Sequence, residues 1–248
     1  MVEFIAIGFT AGFMAGFFGV GGGAITVPLL LYAGVSIKFA VGISAMQMVF
    51  SSVYGSLRNV KNRLVDSRDA YPFGLGGVVG AFIGGHLLDR VDEQVIELSF
   101  LALIIFALVR VFYSSHEPAG EKKRKSLYFN LIIGLVIGMI AGMLGVGGSI
   151  LLIPILVGYL NFTTKEAVSV GLFFVMFSSI AAFSTLATLG YVDYMKGLLV
   201  AVASLVGVRA GQYAVSKTGT KSHKNWTVTM YVVLFVLTSY KIFFDEDF

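Results

Sequence analysis

Apolar residues dominate this chain in long blocks, with polar residues confined to the short stretches between them. The blocks run from about Phe4 to Val20, Ala24 to Gly34, Phe39 to Leu57, Tyr71 to Leu88 and Val95 to Phe112. They resume from Leu127 to Met143, Ile150 to Leu160, Ala167 to Leu189, Tyr194 to Val215 and Trp226 to Phe244. Blocks of about 20 apolar residues are the length of a membrane-spanning helix. The pattern therefore predicts an all-α polytopic membrane protein. Two of the blocks are interrupted, at Gly21-Gly22-Gly23 and at Gly145 to Gly148, so helices are expected to stop there and restart near Ala24 and Ser149.

The two interruptions are copies. GFMAGFFGVGGGAITVPLLL at Gly12–Leu31 returns 126 residues later as GMIAGMLGVGGSILLIPILV at Gly138–Val157, keeping Gly12, Ala15, Gly16, Gly19, Val20, Gly21, Gly22 and Pro28. A weaker echo joins Tyr71 and Gly74 to Tyr194 and Gly197, a register in which Gly84 meets Gly207 and His86 meets Arg209. The chain thus divides into two homologous halves of four apolar segments each. Residues 1–113 form the first repeat, 114–126 a basic linker containing the run Lys122 to Lys125, and 127–248 the second repeat.

Charge decides how the halves are oriented. If each broken segment is a hairpin returning to its own side, the halves are inverted; if each crosses once, they are parallel. The inverted arrangement with the N-terminus outside puts twelve Lys and Arg inside, at Arg58–Arg68, Lys122–Lys125, Lys165 and Lys217–Lys224. It leaves Lys38, Arg90, Lys196 and Lys241 outside, with Arg110 and Arg209 within spans. The parallel arrangement puts ten inside and six outside, so the positive-inside rule favours inversion by two residues. Trp226, Tyr231 and Tyr240 suit the interfacial aromatic belts.

Composition agrees: 57% of the 248 residues are hydrophobic and 13% charged, against roughly 25% charged in soluble domains. The opening MVEFIAIGF has no basic n-region or cleavage site and reads as a retained first span. The absence of cysteine excludes disulfides and thiolate metal or redox chemistry. A net charge of +4 is accounted for by basic cytoplasmic loops and calls for no nucleic-acid partner.

The candidate chemistry lies at the breaks. Irregular backbone at membrane depth is tolerated only where it lines a cavity or is buried in protein. Helices restarting after a break present free N–H groups and the positive end of the dipole, and glycine lets an anion approach those amides closely. The bland alternative is that the glycines only allow tight helix packing. Ser44, Gln47 and Ser51 lie on one helical face and could add hydroxyl and amide donors, with Ser178 and Ser179 in the equivalent place of the second half. Helix–helix hydrogen bonding is the competing role for that face. Arg209 is the arginine set well inside a span and is either functional or a snorkelling side chain. His86 is expected to make a structural contact near Asp89. GVGGG lacks the Lys-Ser/Thr of a nucleotide-binding loop, and no HExxH, serine–lysine or aspartate dyad supports an intramembrane enzyme.

The doubled motif closely resembles the signature of the sulfite exporter TauE/SafE family, the TSUP permeases, and the resemblance covers the full length. It implies a multi-pass permease of the cytoplasmic (inner) membrane moving sulfite, a sulfonate or a related sulfur anion. Carried over by position, it points to Gly19, Gly21, Gly22, Gly23 and Pro28, and to Gly145, Gly147, Gly148, Ser149 and Pro154. Ser149 replaces Gly23 in the second copy and would make the pocket asymmetric. The expectation is a secondary transporter, not an enzyme, with substrate-binding residues Gly19, Gly21–Gly23, Gly145, Gly147–Ser149, Ser44, Gln47, Ser51 and Arg209. No cofactor or metal is expected. The partners are a small anion and the bilayer, with a homodimer as one option. An anion channel, or a transporter of another small organic anion, is the alternative.

Overall fold

The computed structural model describes residues 1–18, 21–61, 67–113, 126–218 and 220–244. They form ten helices and no strand. The first half contributes α1 (Val2–Phe18), α2 (Gly23–Tyr32), α3 (Ile37–Lys61), α4 (Ser67–Arg90) and α5 (Glu93–Tyr113). The second contributes α6 (Leu127–Leu144), α7 (Ser149–Gly158), α8 (Thr164–Thr188), α9 (Tyr194–Ser216) and α10 (Thr220–Phe244). Five helices among the described residues, α3, α4, α6, α8 and α9, are long and apolar enough to cross a membrane. The chain is a multi-pass helical membrane protein.

Small residues dictate how the helices pack. Along α1, a side chain at Gly8, Gly12 or Gly16 would strike the backbone of Val200, Ser204 or Val208 on α9. Along α6, Gly134, Gly138 and Gly142 stand in the same way against Phe73, Gly77 and Ala81 on α4. Stripes of glycine at i, i+4, i+8 let two backbones touch, which is how helices gain packing energy in lipid. The packing reading therefore holds for Gly12, Gly16, Gly138 and Gly142, the upstream part of the repeated motif.

Both pairs run in the same direction, since residue numbers rise together along each contact. Gly197 of α9 sits against Met46, and Arg209 reaches Tyr54, so α3 runs the same way as α9 and α1. Gly77 lies against Phe174 and Gly85 against Thr185, so α8 runs with α4 and α6. α3 and α8 oppose each other, with Gly42 near Tyr191 and Gly55 near Leu172.

These contacts correct the register of the weaker repeat. Gly80 packs on Leu135 and Met139 as Gly207 packs on Phe9 and Phe13, and Gly84 on Met139 and Met143 as Gly211 on Phe13 and Phe17. Gly207 thus corresponds to Gly80, one helical turn from the Gly84 expected, and Arg209 has no counterpart in His86. Tyr71 and Tyr194 are single aromatic residues, a weaker anchor for an alignment than a stripe of backbone contacts. Of the three aromatic residues placed at the interface, Trp226 and Tyr240 are exposed, but Tyr231 is buried in the apolar core.

Candidate functional site

Both glycine breaks exist where the apolar blocks are interrupted. α6 ends on Gly145 at φ 66°, and Gly147 and Gly148 both have φ 73° before α7 begins at Ser149. Gly21 has φ 78°, and α2 begins at Gly23, one residue before the expected Ala24. Left-handed backbone costs an L-residue about 1–2 kcal/mol, which explains glycine at these four positions. In α2 the first helical bonds run from Ile25 and Thr26 to the Gly22 carbonyl, and in α7 from Leu151 and Leu152 to the Gly148 carbonyl. The amides just before them fall outside the helical ladder at the positive ends of α2 and α7.

The two breaks touch. A side chain on Gly23 would land on the Gly145 carbonyl oxygen, and one on Gly21 would lie 3.0 Å from the Ser149 hydroxyl oxygen. Ser44 Oγ donates to the same Gly145 carbonyl at 2.8 Å, tying α3 to the second break. Three residues on, Gln47 lies flat against Gly22, so that a Cβ there would overlap the amide. Thr26 Oγ1 donates to the Gly22 carbonyl at 2.9 Å and lies 3.3 Å from Gln47 Oε1, and Gln47 Nε2 donates to Ser51 Oγ at 3.4 Å. Ser44 and Gln47 are fully buried, so one face of α3 stitches the two breaks together through polar side chains.

A cavity of about 460 Å³ opens beside the first break. Gly21 and Gly22 line it together with Ser51, Ser52 and Asn59 of α3. Lys165, Ser169 and Leu172 of α8 face them, with Gly16 of α1 and Val208 and Gln212 of α9 completing the wall. Among the described lining residues there is no carboxylate, and Lys165 is the charged one. The mouth lies at the end of the bundle where α3 finishes and α8 starts. The Thr163–Glu166 capping box fixes that start, with Glu166 N–H donating to Thr163 Oγ1 at 3.3 Å and Thr163 N–H to Glu166 Oε2 at 3.0 Å.

The opposite end is cross-linked by polar and aromatic contacts. Tyr191 Oη donates to Asp89 Oδ1 at 2.6 Å, Lys38 Nζ donates to the Asp89 carbonyl at 3.4 Å, and the Phe39 ring meets Tyr191 edge-on. The Asp89 hydrogen bond raises the Tyr191 phenol above its ordinary range by favouring the protonated form. His86 stacks edge-on against Phe82, so the carboxylate expected to be its neighbour is taken by Tyr191.

Gly21, Gly22 and Ser51 therefore line the cavity, while Gly23, Gly145, Ser149, Ser44 and Gln47 form the contact behind it. Gly147 and Gly148 do not face it: Met48 and Val175 cover the first, Phe174 and Ile137 the second. Gly19 lies outside the described residues. Arg209 is turned away, exposed, with Nε donating to Tyr54 Oη at 3.0 Å and the guanidinium stacked over that ring. Ser178 and Ser179 are buried, within hydrogen-bond reach of the carbonyls of their own helix. Ser52, Asn59, Lys165, Ser169 and Gln212 were not singled out in the sequence. Their signal is a four-residue stripe, Ser51–Gly55–Asn59 and Lys165–Ser169, continuing toward the ends of two spans.

A helical membrane protein with paired broken helices meeting beside a cavity that has no carboxylate among its described lining residues has the architecture of a transporter. The sequence profile of the sulfite exporter TauE/SafE family matches residues 4–238, and the chain belongs to that family of membrane transporters. Similar chains include a probable membrane transporter protein of Methanocaldococcus jannaschii, 25% identical over 84% of this chain and 85% of the relative. A probable membrane transporter protein of Haemophilus influenzae is 26% identical over 99% and 96%, and YunE of Bacillus subtilis, named in the same way, 24% over 89% and 90%. No solved structure matches significantly.

Proposed function

We propose that this chain is a secondary transporter exporting a small sulfur-containing anion, sulfite or an organosulfonate, across the cytoplasmic membrane by alternating access. The observation that carries this is the floor of the cavity. Backbone of Gly21–Gly22 and the Ser51 hydroxyl meet there, at the positive end of α2, with no carboxylate among the described lining residues. Such a floor offers hydrogen-bond donors and a partial positive charge to an oxyanion without the desolvation cost of a buried cation. The family name supports sulfite as the substrate. Export of a negative charge is assisted by the membrane potential, at roughly 2.3 kcal/mol per charge per 100 mV.

In this reading the halves, 1–113 and 127–248, are inverted repeats and each broken segment is a hairpin. Support comes from helix direction. α1 and α3 run with α9, whereas their counterparts α6 and α8 run with α4, so equivalent helices point oppositely. Two consecutive spans such as α1 and α3 can run the same way only if α2 returns between them. The basic loops then put the cavity mouth on the cytoplasmic side, and the Asp89–Tyr191 tie on the outer side.

Sulfite flux in proteoliposomes tests the reading. Wild-type protein should give saturable flux accelerated by sulfite on the far side, and Gly22→Leu, whose side chain would displace the Gln47 amide beside the floor, should abolish it. Saturable transport by a folded Gly22→Leu, Gly148→Leu double variant would refute the site, and non-saturating conductance would make the protein a channel.

A further inference from the structure

Lys165 stands out in the cavity wall for what surrounds it. It is the second residue of α8, in the first turn, where the positive end of the helix dipole disfavours a cation by about 0.3–1 kcal/mol. Its neighbours at i+3 and i+4 are Val168 and Ser169, so it has no helical ion-pair partner on that side. It makes no ion pair with any described residue, and it is exposed. A lysine placed against the dipole, with no ion pair to a described residue, is not accounted for by helix stability.

Depth separates it from the floor. Asn59 stands eight residues beyond Ser51 on α3, about 12 Å of helix at 1.5 Å per residue. α8 runs antiparallel alongside, so Lys165 belongs to the Asn59 level and Val175 to the Ser51 level. Gly22 lies at the Gln47 level of α3 and Lys165 beyond the Gly55–Leu172 contact, so the two are at different depths of the cavity. Between them the wall is largely uncharged, with Val168 and Leu172 on one side. A charge at the mouth of a low-dielectric cleft focuses its field along the cleft and raises the local concentration of the opposite charge.

We propose that Lys165 is an anion-capture residue, holding the incoming anion at the mouth of the cavity one step before the glycine break. This rests on the transport reading above and adds a second station to it. Capture should act on the apparent affinity and on its salt dependence, leaving turnover to the break.

The absence of cysteine permits a test on one folded sample. Full-length Lys165→Cys is reconstituted in liposomes, and initial sulfite flux is measured over a range of sulfite and salt concentrations. This is done before and after reaction with a cationic or a neutral methanethiosulfonate. Lys165→Cys is expected to raise KM about threefold to tenfold, with kcat within about twofold and a flatter salt dependence. The cationic reagent should restore KM and the neutral one should not. Lys217→Gln, which removes a charge from the same end without lining the cavity, should leave KM unchanged. Wild-type KM and salt dependence in Lys165→Cys would overturn the capture role alone, as would an equal shift in Lys217→Gln. Wild-type protein without saturable sulfite flux would overturn the transport reading, and the capture role with it.

Discussion

Replacing Gly23 by alanine tests whether the two breaks truly support each other. The added methyl would coincide with the Gly145 carbonyl oxygen, 2.8 Å from Met48 Sδ and 2.9 Å from Ser44 Oγ. Gly23 is at the start of a helix and carries no positive φ, so strain of the residue itself contributes little. The cost is collision. Overpacking a tight site costs typically 1–3 kcal/mol, and displacing Gly145 also loosens the Ser44 hydrogen bond, worth about 0.5–1.5 kcal/mol. The expected loss is about 2–4 kcal/mol, or roughly 5–15 °C in melting temperature for a chain of this size. Gly158→Ala is the control, because a methyl there meets nothing within 4 Å; at a helix end it should be neutral or stabilise by up to about 1 kcal/mol. Thermal unfolding in detergent, followed by the near-ultraviolet signal, gives the comparison. If Gly23→Ala melts and transports as wild type does, the breaks are not in contact and the site has been built on a false adjacency.

Two further outcomes concern the end that carries Asp89 and Tyr191. Tyr191→Phe removes the hydrogen bond to Asp89 and should increase labelling of a cysteine at Ser36, which lines the small hollow there, by a membrane-impermeant thiol reagent; unchanged labelling would mean the tie does not close that end. Asp193 precedes α9, and its carboxylate is held below the usual range first by the Lys196 backbone N–H, at 3.0 Å from Oδ1, and also by the Lys196 ammonium at 3.1 Å. A depressed folded pKa means the stabilisation is present at neutral pH and is lost as pH falls below about 4. Asp193→Asn should therefore flatten that acid limb of the melting temperature, and an unaltered limb would assign it to other carboxylates.

The existence of the helices and the places of both breaks were legible because apolar block length and glycine-plus-repeat patterning are local properties. Helix starts at Gly23 and Ser149 follow from backbone freedom at the residues just before them. What the pattern could not supply is which helix each glycine stripe faces. Gly12 and Gly16 look like part of the break motif in sequence, yet they dock α1 onto α9 in the other half of the chain. Arg209 lies away from the cavity because depth along a span says nothing about direction around it, and its side chain turns to Tyr54. Lys165 was missed for the converse reason. It sits at a span end, where basic residues are ordinarily topology signals, and only the opposing wall of α3 makes it part of a cavity.

Asymmetry between the copies bears on mechanism. The first break faces an open cavity, while the second, nearly identical in sequence, is covered by Met48, Val175, Phe174 and Ile137. The glycines themselves do not distinguish the copies, since Gly21 and Gly22 are matched by Gly147 and Gly148, but the residues over them do: Gln47 lies against Gly22 where Phe174 lies against Gly148. Under the proposed inverted repeat, one motif in two environments corresponds to one side open and the other closed, and exchanging the environments would reverse the opening. The side chains that would have to move are those now over Gly147 and Gly148, and Phe174 also packs against Gly77 of α4. Uncovering the second break needs Phe174 to leave Gly148, and its packing on Gly77 links that movement to α4, which is held to α6 by backbone contacts at Gly134, Gly138 and Gly142. Rocking of one intact group of helices against another is more economical than local rearrangement, because those backbone contacts leave no room for sliding.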